Sequence, residues 1–312
     1  MASKIIIRLK RESDDAAVAA LIRDSLNVWY NRHFGIDNLV PTVEAATIYT
    51  RVYDALDPDC CVVAEDAETG KLAGSCFFHP RPTHVSLGIM TVAPEYFGQK
   101  VSSKLLQYIV DVAEKRNHSL RLVSSAMNLD SFSLYNRFGF VPTVMFQDMT
   151  VAVPEEGFAV NAPEGTIVRE ATLEDVPAIV ALESDVYGID RTKDFRFFIK
   201  NQAGIWGVSV IADGASGELL GVMCSVKDPG CCMVGPGAAR DDRYAGALIR
   251  NELNRYRGAW SPVFLIPTDA VELRKEMYAL GACNCETHIA QSRGPAPQKK
   301  GVVIPSFMPE TA

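Results

Sequence analysis

The alternation of hydrophobic and polar residues changes period in a fixed order along the chain, and this order occurs twice. IIIRLKRESDDAAVAALIRDSL predicts a strand, a polar helix start and an amphipathic helix. CVVAEDAETGKLAGSCFF then predicts two strands joined by a Glu-Thr-Gly turn. TIVREATLEDVPAIVALESDVYG and VSVIADGASGELLGVMCSV repeat both steps, and Gly-Lys/Glu-Leu-x-Gly follows each turn. The pattern therefore indicates an internal duplication.

The later parts of the two halves also correspond. Pro94 and Pro236 are 142 positions apart, and so are Gly139 and Gly281. Between these markers each half predicts a helix, a strand and a short helix: about 100–116, 119–124 and the residues before Gly139, then 242–257, 262–267 and the residues before Gly281. Each half thus predicts an α/β fold, with a mixed, mostly antiparallel sheet flanked by helices.

The stretch VPEEGFAVNAPEG is polar, contains Pro and Gly, and lacks periodicity, which is typical of a linker. The tail is rich in Pro, and VVIPSF within it could add a strand to the sheet. The predicted organisation is an N-terminal domain (1–152), a linker (153–164), a C-terminal domain (165–292) and a tail (293–312).

Composition supports a globular protein long enough for two domains, with 312 residues, 48% of them hydrophobic and 22% charged. The net charge of −7 disfavours binding to nucleic acid or to anionic membranes. The start MASKIIIRLKRES does not resemble a signal peptide, and no apolar run approaches the ~20 residues of a membrane span. The eight cysteines lack the CxxC spacing of zinc sites. We therefore expect reduced thiols, no metal and a cytoplasmic location.

One segment predicts an anion site. HVSLGIMTVAPEYFGQKVSSKLLQYIVDVAEKR reads as a strand ending at Val92, a loop with Pro94 and Gly98, and a helix with an apolar stripe. The first amides of such a helix have no partner within it, and with the helix dipole they favour a phosphate group. An ordinary turn between a strand and a helix is the alternative interpretation of this stretch alone.

A second segment, NLDSFSLYNRFGF, predicts a short helix that Gly139 ends. Asn128, Ser131 and Tyr135 recur at spacings of three and four and so share one face, beside an apolar side that includes Leu129. From the residues alone, Asn128 and Ser131 could instead cap the helix. Tyr135 could be a half-buried aromatic residue with its hydroxyl at the surface.

Together these segments resemble the GNAT superfamily of acetyl-CoA-dependent N-acetyltransferases. The family helix motif N-x-x-S-x-x-L-Y-x-x-x-G-F is met in full here. The family loop motif V-x-P-x-Y-R-G-x-G-x-G/A is met at Val92, Pro94, Tyr96 and Gly98 but departs from the pattern at Phe97, Lys100 and Ser102. The resemblance covers about 5–150 well and 165–292 more loosely. It implies two tandem GNAT-like domains.

The resemblance implies acetyl-CoA as co-substrate, with its pyrophosphate on the loop after the strand. Asn128 would bind the pantetheine arm, Ser131 would face CoA, and Tyr135 would be the catalytic residue that protonates the departing thiolate. Backbone amides near Val92 could hold the oxyanion. The implied cofactor-binding residues are Val92, Phe97, Gly98, Gln99, Lys100, Val101, Ser102, Asn128 and Ser131.

The second half lacks these residues. At the offset of 142, Met277 takes the position of Tyr135 and Ala270 that of Asn128. Asp241 and Asp242 fall at the expected phosphate site, where they would repel an anion but suit a helix start. We therefore expect a degenerate GNAT-like domain that shapes the acceptor site or an interface.

The acceptor site is less defined, because the strand THVSLGIMTV carries no Asp or Glu that could deprotonate an amine. A histidine or a water chain could act instead, and the histidine candidates are His33, His79 and His84. NVWYNRHFG, read as a segment after the first helix, supplies aromatic faces for a cation. The predicted substrate-binding residues are Trp29, Tyr30, His33 and His84, although Trp29 and Phe34 could equally belong to the core.

These observations predict an N-acetyltransferase that moves acetyl from acetyl-CoA to a primary amine by direct attack. The alternative is a non-catalytic GNAT-like protein that binds acyl-CoA or a partner, and a purely structural tandem scaffold is a third reading. The expected partner is a small-molecule amine or a peptide, with no nucleic acid and no membrane. The acceptor stays undetermined, and a homodimer stays open.

Overall fold

A computed structural model describes residues 4–258 and 260–308. Within these residues thirteen strands form one continuous sheet with helices on both faces. The first half contains β1 (Ile5–Leu9), α1 (Asp15–Phe34), α2 (Val43–Leu56), β2 (Cys61–Asp66), β3 (Leu72–Pro80), β4 (His84–Val92), α3 (Val101–Lys115), β5 (Ser119–Ser125), α4 (Leu129–Arg137) and β6 (Val141–Thr150). The second contains β7 (Thr166–Glu170), α5 (Val176–Tyr187), α6 (Thr192–Lys200), β8 (Trp206–Asp213), β9 (Leu219–Asp228), β10 (Cys231–Ala239), α7 (Asp242–Leu253), β11 (Val263–Pro267), α8 (Val271–Ala279), β12 (Cys283–Arg293) and β13 (Val302–Ile304).

The order of elements confirms the duplication, since β1 to β6 and β7 to β12 follow the same succession of strands and helices. The mixed α/β class is confirmed as well, because the pairs are antiparallel except for β4 with β5 and β10 with β11. The tail adds the strand expected from VVIPSF, as β13 pairs with β10. No helix in the described part of the chain is long and apolar enough to cross a membrane.

The two halves exchange their last strands. The sheet runs in the order β1-β2-β3-β4-β5-β12-β6-β11-β10-β9-β8-β7. Thus β12 of the second half pairs with β5 of the first, and β6 of the first half pairs with β11 of the second. β6 and β12 also pair with each other at the centre of the sheet. A division of the sequence near residue 152 therefore does not divide the sheet.

The helices form two layers on opposite faces of the sheet. In β2, Val63 packs in the cluster that contains residues of α1, α2, α5 and α6, whereas its neighbours Val62 and Ala64 pack with α3 and α4. Successive side chains of a strand point to opposite faces, so these clusters lie on the two sides of the sheet. In the second half, α7 and α8 form a third cluster with residues of β10 and β11.

Ionic contacts join the halves on the face that carries α1, α2, α5 and α6. Arg81, in the turn between β3 and β4, pairs with Asp194 of α6, and both side chains are fully buried. Lys193 of α6 pairs with Asp57 at the end of α2. Nδ1 of His79 lies 2.9 Å from a carboxylate oxygen of the same Asp57. Charges buried in this way are costly unless they are paired, so these contacts favour one fixed arrangement of the halves.

Candidate active site

A wedge-shaped opening separates β4 from β5. The two strands pair in parallel only where His84 to Ser86 face Ser119 to Arg121. β4 continues to Val92 and β5 to Ser125 with no pairing between them in the described structure. The edge of β4 beyond Ser86 therefore leaves backbone donors and acceptors for an extended ligand.

A β-bulge lies in β4 at the start of the opening. Cys76 of β3 faces Met90, and Phe78 faces Leu87, so Gly88 and Ile89 together oppose one residue of β3. A side chain at Gly88 would start 3.0 Å from atoms of Phe77 and of the His79 ring. A carboxylate at this position of a strand that carries no Asp or Glu would therefore not fit without rearrangement. Bulges bend a strand locally and are common beside functional sites.

The loop between β4 and α3 has a defined geometry. Pro94 to Tyr96 form one 3-10 turn, and the buried Tyr96 donates a hydrogen bond of 2.8 Å to Asp66 Oδ2. The Glu68 amide, followed by the Tyr96 hydroxyl, lowers the pKa of the Asp66 carboxyl. Gly98 adopts φ +76°, a conformation that glycine reaches without steric cost. Tyr96 thus anchors the loop to the end of β2.

The N-terminus of α3 faces this loop without a side-chain cap. The cap residue Lys100 makes no capping hydrogen bond, and the first turn contains no acidic residue. The amides of Val101, Ser102 and Ser103 have no acceptor within the helix. Because Val101 is 1% exposed, only its backbone can meet a ligand. Among the predicted cofactor residues, Phe97, Gly98, Gln99 and Lys100 are exposed beside this helix end.

Lys100 occupies a left-handed backbone position, with φ +61° and ψ +23°. This conformation explains why the family pattern has glycine here, since any residue with a Cβ adopts it at a cost of about 1–2 kcal/mol. In return, the ammonium group brings a positive charge to the helix end, which already favours anions.

The polar residues predicted to share one face of α4 lie in two different environments. Asn128 is the N-cap, and its Oδ1 accepts a 3.0 Å hydrogen bond from the Ser131 amide, as the capping interpretation expected. Tyr135 is 5% exposed and lies 5.6 Å from the Phe140 ring, within the cluster that also contains Leu105 of α3. The expected apolar side is wrong at Leu129, which is 70% exposed. The roles of Asn128, Ser131 and Tyr135 toward CoA stay predictions.

The aromatic segment near residue 30 is helical. α1 continues through it to Phe34 and ends at Gly35, which has φ +67°, so the prediction that the segment follows the helix is wrong. The Trp29 ring stacks on that of His33 at 4.5 Å and meets that of Tyr30 edge-on at 4.9 Å. Tyr30 donates a 2.7 Å hydrogen bond to Glu286 Oε2 in the second half. Burial, followed by Glu286, raises the pKa of Tyr30, which keeps the phenol protonated.

Two of the candidate bases are buried. His84 begins β4, at the opposite end from Val92, and is fully buried with Nδ1 2.9 Å from Thr83 Oγ1 and Nε2 3.0 Å from Ser86 Oγ. This burial disfavours His84 as a substrate contact, and its assignment stays a prediction. His79 is also fully buried and contacts Asp57. The side chain of His33 is exposed, and its Nδ1 lies 2.8 Å from the carbonyl oxygen of Trp29.

The strand exchange brings residues to this region that sequence reasoning missed. Asp148 of β6 and Glu286 and His288 of β12 lie together, next to Tyr30. His288 faces Ser125, the last residue of β5, so the group lies at the end of the sheet where the opening is widest. The alternation in CETH predicts that Glu286 and His288 share one face of a strand. Only the strand exchange shows that this strand pairs with the first half.

The second half has a similar opening, but β13 fills it. β10 and β11 pair only at Met233 and Val234, and beyond this point β13 pairs with β10 from Gly237 to Ala239. Ile304 and Val303 are buried beside β10, at positions where no described residue pairs with β4. The backbone edge that stays available in the first half is therefore occupied by the chain itself in the second.

The second half also lacks the loop. The starts of β4 and β10 are 147 residues apart (84 and 231), whereas those of α4 and α8 are 142 apart (129 and 271), so five residues are missing in between. β10 ends at Ala239 and α7 begins at Asp242. The offset of 142 is thus wrong at Pro236, which lies inside β10. Asp241 caps α7 by accepting hydrogen bonds from the amides of Arg243 and Tyr244, as expected for a helix start without a phosphate.

The fold and the site define a duplicated α/β protein with one open cleft beside an uncapped helix N-terminus and one closed cleft. Residues 24–140, within the N-terminal half of the chain, match the model of the acetyltransferase (GNAT) family. The recognition of a GNAT protein from its loop and helix motifs is confirmed.

Solved structures share the fold along nearly the whole chain. A putative acetyltransferase from Pyrococcus horikoshii has a TM-score of 0.70 at 15% identity, over 96% of this chain and 92% of that one. A GCN5-related N-acetyltransferase from Sphaerobacter thermophilus has a TM-score of 0.66 at 16% identity, over 92% and 95%. A tandem GNAT protein from the clavulanic acid biosynthesis pathway has 0.61 at 12% identity, over 94% and 99%. No curated protein matches the sequence significantly. At these identities the likeness establishes the tandem fold alone.

Proposed function

We propose that the protein transfers an acetyl group from acetyl-CoA to a primary amine, and that the N-terminal half alone binds the cofactor. One observation carries the proposal: the opening between β4 and β5 is free and ends at an uncapped helix N-terminus, whereas its counterpart is filled and lacks the loop. The diphosphate would accept hydrogen bonds from the amides at 101–103. The amides of the pantetheine arm would pair with the free edge of β4.

The chemistry follows from this placement. The neutral amine attacks the thioester carbon, and amides near Val92 stabilise the oxyanion of the tetrahedral intermediate. The intermediate collapses, the carbon–sulfur bond breaks, and the amide product and CoA thiolate form. Tyr135 donates its proton to the thiolate and regains one from solvent or from the amine nitrogen. Tyr135 lies in the cluster that also contains Leu105 of α3, the helix whose N-terminus would bind the diphosphate, and this placement supports the role.

The acceptor would enter on the side of α1. Trp29 and Tyr30 present aromatic faces there, and Tyr30 is held by Glu286 of the second half. The second half therefore contributes to the acceptor site through β12 even though its own cleft is closed. Small-molecule amines and peptide amino groups both fit this proposal, as do a cytoplasmic location and assembly as a homodimer.

A non-catalytic acyl-CoA-binding protein is the second candidate. The observation that favours it is β4 itself, which has no carboxylate and no room for one at Gly88. This protein would bind acetyl-CoA through the same loop but would not release thiol in the presence of amines.

Calorimetry with acetyl-CoA tests the shared part of both candidates. We expect one site per chain and about tenfold weaker binding in Lys100→Glu, because the substitution replaces a positive by a negative charge near the diphosphate. Arg243→Glu is the matched control, since Arg243 lies in the first turn of α7 in the second half. Loss of binding in Arg243→Glu but not in Lys100→Glu would contradict the assignment of the cofactor to the first half.

Thiol release with a panel of amines, from polyamines to peptides, separates the two candidates. Turnover that is saturable in one amine class supports the transferase. Binding of acetyl-CoA without turnover by any class would favour the non-catalytic protein.

A further inference from the structure

A group of three side chains lies where the exchanged strands meet. In the pairing of β6 with β12, Asp148 is directly opposite Glu286, and His288 follows two residues along the same strand. Residues two apart on a strand share a face, so all three side chains converge. One ligand atom from each of the three lies within 4.8 Å of the others. This separation is close enough for one small cation to draw them together.

Each of the three residues has a polar atom that lacks a hydrogen-bond partner among residues 4–258 and 260–308. These atoms are Asp148 Oδ1, Glu286 Oε1 and His288 Nδ1, and all three are shielded from solvent. His288 Nδ1 lies 2.8 Å from Asp148 Oδ2, but it makes no hydrogen bond there. The side chains of Asp148 and His288 are only 2% and 5% exposed. Buried polar atoms without partners are rare in folded proteins, so a ligand is expected between them.

The charges in the group do not balance. Two carboxylates lie together, and the only basic side chain within the group is one imidazole. The second oxygen of Glu286 accepts a hydrogen bond from Tyr30, which adds no charge. Buried carboxylates are stable only when they are paired with cations or coordinate a metal. A divalent cation would balance the two negative charges with the imidazole neutral.

We propose that Asp148, Glu286 and His288 bind a divalent metal ion at the junction of the two halves. Two carboxylates and one imidazole suit Zn²⁺ or Mn²⁺ better than Ca²⁺ or Mg²⁺, which prefer oxygen ligands throughout. Tyr30 is the outer partner that orients Glu286, a role that such partners play at many metal sites. This kind of site contains no cysteine, so the spacing of the cysteines does not bear on it.

The ammonium group of an acceptor is the main competitor for this position. It is disfavoured because the partnerless oxygens are shielded from solvent, so a bulky amine would have to open the group to reach them. A metal ion is small enough to lie among the three side chains. It would fix β6, β12 and the end of α1 relative to one another, next to the proposed acceptor side.

The test is calorimetric titration of the full chain, stripped with EDTA and then dialysed, with Zn²⁺, Mn²⁺, Mg²⁺ and Ca²⁺ separately. We expect one Zn²⁺ or Mn²⁺ per chain and at least tenfold weaker binding in Asp148→Asn and in His288→Gln. The matched control is the double variant Cys283→Ser with Cys285→Ser, because these exposed thiols on the same strand could take up zinc adventitiously. This control should bind as the wild type does. Circular dichroism checks that each variant is folded.

The outcomes are decisive in both directions. A rise in melting temperature with Zn²⁺ or Mn²⁺ in the wild type and in the cysteine control, but not in Asp148→Asn, supports the proposal. No uptake of either metal, or uptake lost only with the cysteines, overturns it. If no metal binds but Asp148→Asn raises the KM of an amine substrate, the group binds the ammonium ion, and the metal proposal is wrong. None of the metal measurements depends on turnover, so failure of the proposed transferase would be seen separately.

Discussion

Lys100→Gly tests the backbone strain in the loop between β4 and α3. Lys100 has φ +61°, and a left-handed position costs a residue with a Cβ about 1–2 kcal/mol. Glycine removes this cost but has more freedom in the unfolded chain, which returns about 0.5–1 kcal/mol. The side chain is exposed, so little packing is lost. We therefore expect Lys100→Gly to raise the free energy of unfolding by about 0.5–1 kcal/mol, measured by urea denaturation at an unchanged m-value.

Lys104→Gly is the matched control, four residues along the chain. Lys104 is also exposed but lies within α3, where replacement by glycine should lower the free energy of unfolding by about 1 kcal/mol. The same substitution should thus have opposite signs at the two positions. If both variants lose stability to the same extent, Lys100 is not strained, and the explanation for its unusual place in the loop is wrong.

The same variant separates charge from backbone geometry in cofactor binding. Removing the Lys100 ammonium should weaken the binding of CoA by about fivefold, corresponding to about 1 kcal/mol for an exposed charge near a diphosphate. Calorimetry at low and high salt checks this, because the difference should shrink as salt screens the charge. Tighter binding by Lys100→Gly would show that closer approach of the backbone to the diphosphate outweighs the charge. The Lys100 ammonium would then not compensate for the missing glycine.

Three further predictions concern other parts of the molecule. Tyr135→Phe should reduce thiol release about 100-fold and leave the Kd for acetyl-CoA unchanged; equal turnover would exclude Tyr135 as the acid. Val303→Asp places a charge in β13 and should lower the free energy of unfolding by about 3 kcal/mol. The number of CoA molecules bound per chain should stay at one, because the second half lacks the loop that lies between β4 and α3 in the first half. Burial raises the pKa of Asp57, but His79 and Lys193 outweigh it and hold that pKa below its usual value. The resulting stabilisation is present above about pH 4 and is lost as the pH falls through the lower folded-state pKa. Lys193→Met should therefore cost about 1 kcal/mol at pH 7, and its difference from the wild type in acid denaturation should narrow below pH 4.

Local signals in the sequence were sufficient for most elements of the fold. The duplication and the added strand VVIPSF were predicted correctly because each depends on residues close together in the chain. The true end of α1 was also readable, since Gly35 follows a last turn that contains Arg32 and His33, a common helix C-terminus. The aromatic residues before it were instead placed in a segment after the helix, because their polar neighbours weaken the apolar stripe.

The strand exchange could not be predicted from such signals. β6 and β12 follow the same element order in each half, so either strand could have completed either half. Only long-range packing decides between the two arrangements, because the hydrophobic pattern of a strand does not indicate which other strand it pairs with. For the same reason the group formed by Asp148, Glu286 and His288 could not be predicted, because Asp148 is more than 130 residues from the other two in the sequence. The five-residue deletion was missed because two prolines at equal spacing suggested an ungapped alignment.

The strand exchange also gives a reason for keeping a second half whose own cleft is closed. β5 pairs with β12 on the side away from β4, so without the second half this edge of the first half would be open at the point where the cleft widens. An open strand edge invites pairing with other chains and leaves β5 free to move. The second half therefore does more than flank the site: its strand holds one wall of the cleft, and Glu286 on that strand holds Tyr30 on the other side. Loss of its own loop and closure of its own cleft by β13 do not affect either contribution, so a cofactor site could disappear there while the fold was kept.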